Sequence, residues 1–331
     1  TDLVNDDNGV EFDKEAPTFS SISIISDNDP ETALARVGDK ITVSFVADEP
    51  IMTGTDPTVT IAGNTADVDR NEDNLNFSAT YTMSNSANDD TYDQQPILFS
   101  ISNIKDPTGN MVDDPVTSTK NPVSEVIFDK LPPELGRVFI ESSNVTSGYA
   151  QVGDEVTLTF ISSDEEDLQT PTVSLVGSET DVIVAQDGSA SSWTATKTLT
   201  EAHDEGIIEF EITYSDLVGN IADASVSAIN EGDNVIFDRT NPYIETATIA
   251  SSNFTDDVLA VPGDIVTVVF EADDNIKTPT VTIAGQSATV EAGSDAKNWS
   301  AWYPMTNNEG DGVIEFSISY TDYAGNDGEA Q

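Results

Sequence analysis

Three groups of oxygen-bearing side chains recur along this chain at matching positions. The first is an Asp-x-x-Gly-Asn pattern: Asp106-Pro107-Thr108-Gly109-Asn110, Asp216-Leu217-Val218-Gly219-Asn220 and Asp322-Tyr323-Ala324-Gly325-Asn326. The second is an acidic pair that closes an apolar run: Asp48 and Glu49, Asp164 and Glu165 (with Glu166 and Asp167 beside them), and Asp273 and Asp274. The third is the Asp of a Phe-Asp-Lys/Arg triplet, at Asp13, Asp129 and Asp238. Carboxylates and amide oxygens are hard ligands. Irregular sets of them suit calcium, which takes six to eight oxygens and tolerates uneven geometry, better than magnesium, which demands a near-ideal octahedron. None of these sets has the spaced ladder of an EF-hand loop. The competing reading is a tight turn, in which Asp accepts backbone N–H groups and Gly or Asn takes positive φ.

Catalytic chemistry finds little support. The single histidine, His203, sits in the polar turn Glu201-Ala202-His203-Asp204-Glu205-Gly206, with no Gly-x-Ser-x-Gly elbow to partner it, and it is expected to have no equivalent in the other repeats. It reads as a turn residue. No phosphate-cradling Gly-rich loop occurs. Paired carboxylates could serve a glycosidase, but among 61 acidic residues such pairs have no specificity. Trp193 and Trp299 occupy the strand position held by Phe77 and read as core, while Trp302 alternates to the opposite face, where it could stack on a sugar. Four Asn-x-Ser/Thr sequons, at Asn76, Asn144, Asn253 and Asn298, are glycosylation candidates in an exported chain.

The 331 residues carry 12 basic and 61 acidic side chains, a net charge of −49, with 37% apolar residues. That charge repels nucleic acid and anionic lipid and attracts cations. It is tolerable in salty water, where screening acts over about 8 Å or less. The apolar residues fall in short alternating runs, which argues against disorder. There is no cysteine, which excludes thiol catalysis and Cys-based zinc sites and leaves an exported chain dependent on its cores and on metal ions. No apolar run approaches the ~20 residues of a membrane helix, so no direct membrane insertion is expected.

The elements that position the acids are read from a long internal repeat. Gly38, Gly153 and Gly263 each precede Asp and an alternating strand, at intervals of 115 and 110 residues, the size of one β-sandwich. Ile41, Val43 and Phe45 face one way and Thr42 and Ser44 the other, as in a half-buried strand. Further strands follow at Pro57 to Gly63, from Phe77, and through Phe99 and Ile101, each matched in the later copies, which gives about seven strands per repeat. The first copy has one extra residue before Asp106, expected as a bulge. No sustained helical period occurs. The predicted domains are 16–131, 132–240 and 241–331. Residues 1–15 match only the last strand of a repeat and are expected to belong to a preceding domain. Domain 241–331 stops just after its Asp-x-x-Gly-Asn turn, so its closing strand is expected from a longer parent or another segment, its absence leaving an open sheet edge.

The recurring Gly-Asp turn before a Thr-rich strand, Pro-Thr-Val-Thr-Ile-Ala-Gly, Trp-Thr-Ala-Thr, Asp-x-x-Gly-Asn and Phe-Asp-x-x-x-Pro resemble the tandem immunoglobulin-like repeats of prokaryotic surface proteins, including S-layer proteins and giant adhesins of bacteria and archaea. The resemblance covers essentially the whole chain and speaks to architecture more than to role, because that repeat is widely reused. It implies an all-β chain of immunoglobulin-like sandwiches arranged end to end. In such a sandwich, the loop after the second strand and the loop before the last strand share the pole at which the incoming chain arrives. The three acidic groups are therefore expected to meet at each joint and bind structural calcium. The functional expectation is a non-enzymatic, extracellular structural component of an S-layer-type lattice or surface stalk. Its partners would be divalent cations, other copies, or neighbouring domains of the same longer protein. The alternatives are the extender of a calcium-dependent adhesin and an array of carbohydrate-binding modules.

Overall fold

The computed structural model describes residues 12–86 and 89–329. Residues 1–11, most of the segment expected to belong to a preceding domain, lie outside the described residues. The chain divides into two compact units: residues 1–133 with 215–223, and residues 134–214 with 224–331.

In the first unit the strands are β1 (Phe19–Ser26), β2 (Leu34–Ala35), β3 (Lys40–Ala47), β4 (Thr58–Ile61), β5 (Asn64–Thr65), β6 (Asp67–Arg70), β7 (Asn76–Thr82), β8 (Gln95–Pro96), β9 (Phe99–Ser102) and β10 (Ile127–Phe128). One sheet has the order β1-β3-β7-β6. Facing it are β5-β4-β9 and β2-β10-β8, in which β8 and β9 are successive parts of one strand. β10 runs parallel to β2 and antiparallel to β8. A four-stranded sheet against one closed by a last strand parallel to the split first strand is the immunoglobulin-like arrangement.

The alternation read from the sequence is what builds this core. Ile41, Val43 and Phe45 are buried, while Thr42 and Ser44 face outward. Phe45 stacks on Phe77 at 5.0 Å between ring centres and meets Phe19 edge-on at 5.7 Å. The extra residue before Asp106 is accommodated where Asn103 takes φ +56°, a conformation Asn tolerates. The connection from β9 to β10 is not a plain loop. It pairs Val116 with Ile101 and Lys120 with Ile22, so it laces one sheet to the other and covers the edge of β1.

The second unit holds two further sets. The first has β11 (Leu135–Ser142), β12 (Tyr149–Ala150), β13 (Glu155–Ser162), β14 (Thr172–Leu175), β15 (Ile183–Asp187), β16 (Ser189–Thr198), β17 (Gly206–Ile207), β18 (Phe210–Thr213) and β19 (Ile236–Phe237). Its sheets are β11-β13-β16-β15, β12-β19-β17 and β14-β18. The second has β20 (Ile244–Ser251), β21 (Ile265–Ala272), β22 (Thr280–Ile283), β23 (Gln286–Ser287), β24 (Thr289–Ala292), β25 (Asn298–Pro304) and β26 (Phe316–Ser319), in sheets β20-β21-β25-β24 and β23-β22-β26. Among the described residues this last sandwich has no counterpart of β10 or β19. The only helical pieces described are single 3-10 turns at Asp89–Tyr92 and Ser163–Glu165, and no helix is long and apolar enough to cross a membrane.

Each Val/Pro-Gly-Asp motif is a turn made before the third strand. Gly38, Gly153 and Gly263 take φ of +99°, +96° and +102°, which only glycine adopts without strain. The following aspartate folds back to accept the N–H of Arg36, Gln151 or Val261 at 2.8–2.9 Å.

Candidate functional site

The Asp-x-x-Gly-Asn segments are rigid carboxylate-centred turns. Asp106 is buried, and its Oδ1 accepts from the Thr108 hydroxyl and from the N–H groups of Gly109 and Asn110, while Oδ2 accepts from Asn110 Nδ2 at 2.7 Å. Asp216 and Asp322 repeat the pattern, with Oδ2 taking Asn220 Nδ2 and Asn326 Nδ2 at 2.8 Å. Burial works to raise the Asp106 pKa, but the donors from Asn110, Thr108 and Gly109 outweigh it and hold the carboxyl below its ordinary value. Such a carboxylate stays charged in a place that water does not reach.

The asparagine has a second task, visible only in three dimensions. Asn220 Nδ2 also donates to the main-chain carbonyl of Asp129, and Asn326 Nδ2 to that of Asp238, both at 3.1 Å. A reciprocal bond completes each joint: Asn28 Nδ2 donates to Val218 O at 3.0 Å, and Asn144 Nδ2 to Ala324 O at 2.7 Å. Arg36 adds a bond to the Gly219 carbonyl, and Tyr149 stacks on Tyr323 at 5.8 Å. Since carboxylate and carbonyl oxygens only accept, it is the amide nitrogen that meets them. The sequence reading placed the amide oxygen there.

In the first unit Asp13, Glu49 and Asp106 bring one carboxylate oxygen each within 4.8 Å of one another. Burial raises the Glu49 pKa, and the negative charges of Asp13, Asp106 and Asp48 raise it further. Three bare carboxylates at that spacing repel by roughly 0.9 kcal/mol per pair even at the dielectric of water. Asp48 itself is exposed and turned aside, its carboxylate taking the Thr18 hydroxyl. Asp129 and Asp216 lie in this unit as well. Burial raises the Asp129 pKa, and the charges of Asp216 and Asp93 add to it against a lowering bond from the Leu131 N–H.

Asp164 and Glu165 belong to the second unit, where they form an exposed 3-10 turn at φ +55° and +59°. In the same unit burial raises the Asp238 pKa, with Asp322, Glu205 and Asp274 contributing against the Thr240 N–H. Asp273 is occupied by the N–H of Tyr243, and Asp274 is exposed and bonds the N–H of Asn275. Among the described residues of this unit, no three carboxylates converge as closely as Asp13, Glu49 and Asp106 do.

One expectation about His203 is corrected. Its Nδ1 accepts the N–H of Thr200 at 3.0 Å, the position at which Asp89 takes the N–H of Ser84 at 2.8 Å and Glu309 that of Thr306 at 2.7 Å. It therefore has structural equivalents in both other repeats. The reason is its neighbour: Lys197 stands where Tyr81 and Tyr303 point hydroxyls at those acids. Its ammonium is already spent on the carbonyls of Leu175 and Thr180. Burial, then the Lys197 charge, lower the His203 pKa and keep the acceptor neutral. The sequence hides this because the acceptor is a different residue type in each repeat, and in the first repeat the spacing differs too: five residues from Ser84 to Asp89, against three from Thr200 to His203 and from Thr306 to Glu309.

Trp193 and Trp299 are buried, each with its indole N–H on a backbone carbonyl, Ala190 O at 2.8 Å and Ala296 O at 2.9 Å, while Trp302 is half-buried. All four sequon amides are engaged through nitrogen: Asn76 with Asp73, Asn144 with Asp154, Asn253 with Asp264 and Asn298 with Asp295.

No family model matches the chain, and no curated protein matches it. Among solved structures it is similar to a marsupial T cell receptor at 10% identity and a TM-score of 0.34, over 94% of this chain and 98% of that one. It is similar to the D1–D4 ectodomain fragment of ICAM-5 at 13% identity and 0.31, over 93% of this chain and 74% of that one. The full ectodomain of mouse nectin-like molecule 4 gives 9% and 0.32, over 88% and 93%. Likeness at these scores carries no argument about role, and the fold assignment rests on sheet order: this is an all-β chain of tandem immunoglobulin-like sandwiches.

Proposed function

We propose that the chain is a non-catalytic structural piece of a prokaryotic cell surface, part of an S-layer-type lattice or surface stalk. Its sandwiches, bounded at 16–131, 132–240 and 241–331, would be stiffened at their joints by calcium, and its charge would enrich cations around it. The observation that carries this reading is the convergence of Asp13, Glu49 and Asp106.

The donor set fits a hard cation. Asp106 Oδ1 is saturated by three donors, but Oδ2 accepts only one and keeps a lone pair for an ion. Glu49 and Asp13 supply the rest of the charge, and when bound the ion would relieve their repulsion. Asp129 with Asp216, and Asp238 with Asp322, are the proposed counterparts, with Asp48, Asp164, Glu165, Asp273 and Asp274 flanking them. Asn110, Asn220 and Asn326 act by holding the central aspartate rather than by ligating. The four sequon asparagines remain proposed glycan sites only where a sugar can replace the aspartate bond.

Isothermal titration should show calcium binding at millimolar concentration or tighter, and chelator should lower the melting temperature. Unchanged melting in excess chelator would remove calcium from the proposal. An adhesin extender needs the same stiff joints, and electron microscopy of the cell surface separates the two: a periodic array supports the lattice, isolated fibres the adhesin. The burial of Trp193 and Trp299 leaves only Trp302 for sugar stacking, which weakens the glycan-binding alternative.

A further inference from the structure

The outer face of the sheet β20-β21-β25-β24 is where the last sandwich departs from the other two. Residues paired across β21 and β25 point to the same side. Val266, Val268 and Phe270 take the core side, so Ile265 with Pro304, Thr267 with Trp302 and Val269 with Ser300 take the outer one. The matching outward pairs of the first sandwich are Lys40 with Thr82, Thr42 with Thr80 and Ser44 with Ser78. Those of the second are Glu155 with Thr198, Thr157 with Thr196 and Thr159 with Thr194. Hydroxyls and charges thus give way to Ile265, Val269, Trp302 and Pro304. Ile265 is 41% exposed and Val269 53%. An exposed apolar patch of this kind, on so acidic a chain, calls for something to cover it.

The same face carries a point of attachment for a cover. Asn298, Ser300 and Trp302 are alternate residues of β25 and stand in line on the outer side. Asn298-Trp299-Ser300 is a sequon. Its acceptor amide and Trp302 lie four residues apart on one strand, about 13 Å at the rise of an extended chain, which a short oligosaccharide spans. Glu291 stands opposite Ser300, and Thr267 and Thr289 flank Trp302 on the two neighbouring strands. Their oxygens can bond sugar hydroxyls, while an indole offers an apolar surface to the face of a pyranose ring.

The Asn298 amide can be released for this task. Its Nδ2 donates to Asp295 Oδ1 at 2.9 Å, but that oxygen also accepts the N–H groups of Lys297 and Asn298, both at 3.0 Å. Asp295 therefore keeps two donors when a sugar takes the amide. The first sandwich supplies a contrast built into the chain. Asn76 holds the equivalent place, with Asp73 accepting the N–H groups of Leu75 and Asn76, yet four residues on the strand presents Thr80 instead of an aromatic ring.

We propose that Asn298 carries an N-linked oligosaccharide that lies along the outer face of β25 and stacks one sugar ring on Trp302, shielding the apolar patch. In the attachment, Asn298 Nδ2 bonds to the anomeric carbon of an oligosaccharide held as an anomeric phosphate ester. The carbon–oxygen bond to the phosphate breaks with its electron pair, and the amide gives up one proton. A transferase of the host cell presents that donor, so the inference rests on the cell-surface reading of the chain. Trp302 then serves the chain's own sugar and not a free glycan.

The test uses the whole protein from its native source. Mass spectrometry of its peptides should find sugar on Asn298. Trp193 and Trp299 are buried, so a change in tryptophan emission reports on Trp302. Enzymatic removal of the glycan should shift the emission to the red and make it easier to quench with acrylamide, and Asn298→Gln should do the same without the enzyme. Trp302→Thr, which installs the residue of the other two sandwiches, should abolish the response to deglycosylation. Asn298 found bare, a glycan whose removal leaves the emission unchanged, or a response that persists in Trp302→Thr each overturns the proposal. Cell fractionation reports separately on the reading beneath it. A chain found only in the cytosol removes both, whereas an envelope-bound chain with bare Asn298 overturns this inference alone.

Discussion

The side-chain amide of Asn326 joins the main-chain carbonyl of Asp238 to the carboxylate of Asp322, at 3.1 and 2.8 Å. One amide thus fastens the end of one sandwich to the central turn of the next, and Asn220 does the same for Asp129 and Asp216. Asn326→Ala removes both bonds and leaves the buried Asp322 short of a partner. A loss of about 1–3 kcal/mol is expected, measured by chemical denaturation. A loss below the error of the extrapolation would mean that the joint is held by other contacts.

Glu49 gives a pH signature with a definite sign. Its proton is held more tightly folded than unfolded, so the folded state binds more protons once the pH passes the ordinary glutamate value near 4.3. Metal-free wild type should lose stability relative to Glu49→Gln as pH rises through that value and through the raised folded one. Taking the difference between the two proteins cancels the downward-shifted carboxylates that do not touch Glu49, such as Asp73 and Asp295. Calcium should rescue wild type more than the variant. A melting-temperature difference flat from pH 4 to 7 contradicts this.

His203 behaves oppositely. Its pKa is lowered on folding, so the unfolded chain binds the extra proton first as pH falls below about 6.5, and the bond from Thr200 is lost with protonation. Melting at pH 7 and pH 5 should show a drop that His203→Asp abolishes, since a carboxylate already serves that place in the other repeats. An imidazole titrating above 6.5 by NMR would refute the assignment.

The two equivalent sequons should respond differently. Asn144 Nδ2 is shared between Asp154 and the Ala324 carbonyl across the joint, whereas Asn253 Nδ2 bonds Asp264 alone. Asn144→Gln is expected to cost about 1 kcal/mol more than Asn253→Gln, and mass spectrometry of the protein purified from its native source should find less glycan at Asn144 than at Asn253. Equal occupancy at both would show that the joint bond does not protect Asn144.

Much of this architecture is legible in the residue order. Strand alternation at Ile41, Val43 and Phe45, and the Gly-Asp turn with its positive φ, are local, so the sequence carries them openly. The equivalence of Phe77, Trp193 and Trp299 likewise follows from register. The dual task of Asn220 and Asn326 was not readable, because the same letters serve a turn whether or not the amide reaches a neighbouring strand. Nor was the kinship of His203 with Asp89 and Glu309, since only the common N–H target reveals it. The lacing of Lys120 to Ile22 across some hundred residues had no sequence signal at all.

By itself the sequence determined an acidic, cysteine-free, all-β chain built three times on one pattern. Composition and period-two alternation are properties of neighbours along the backbone and need no partner to be seen. The tertiary structure decided which acids share space and which face water, turning Glu49 toward Asp13 and Asp106 while Asp48 goes to Thr18. The physical reason is that charge repulsion, burial and hydrogen-bond satisfaction depend on distances of a few ångströms between residues far apart in the chain, which no spacing along the sequence encodes.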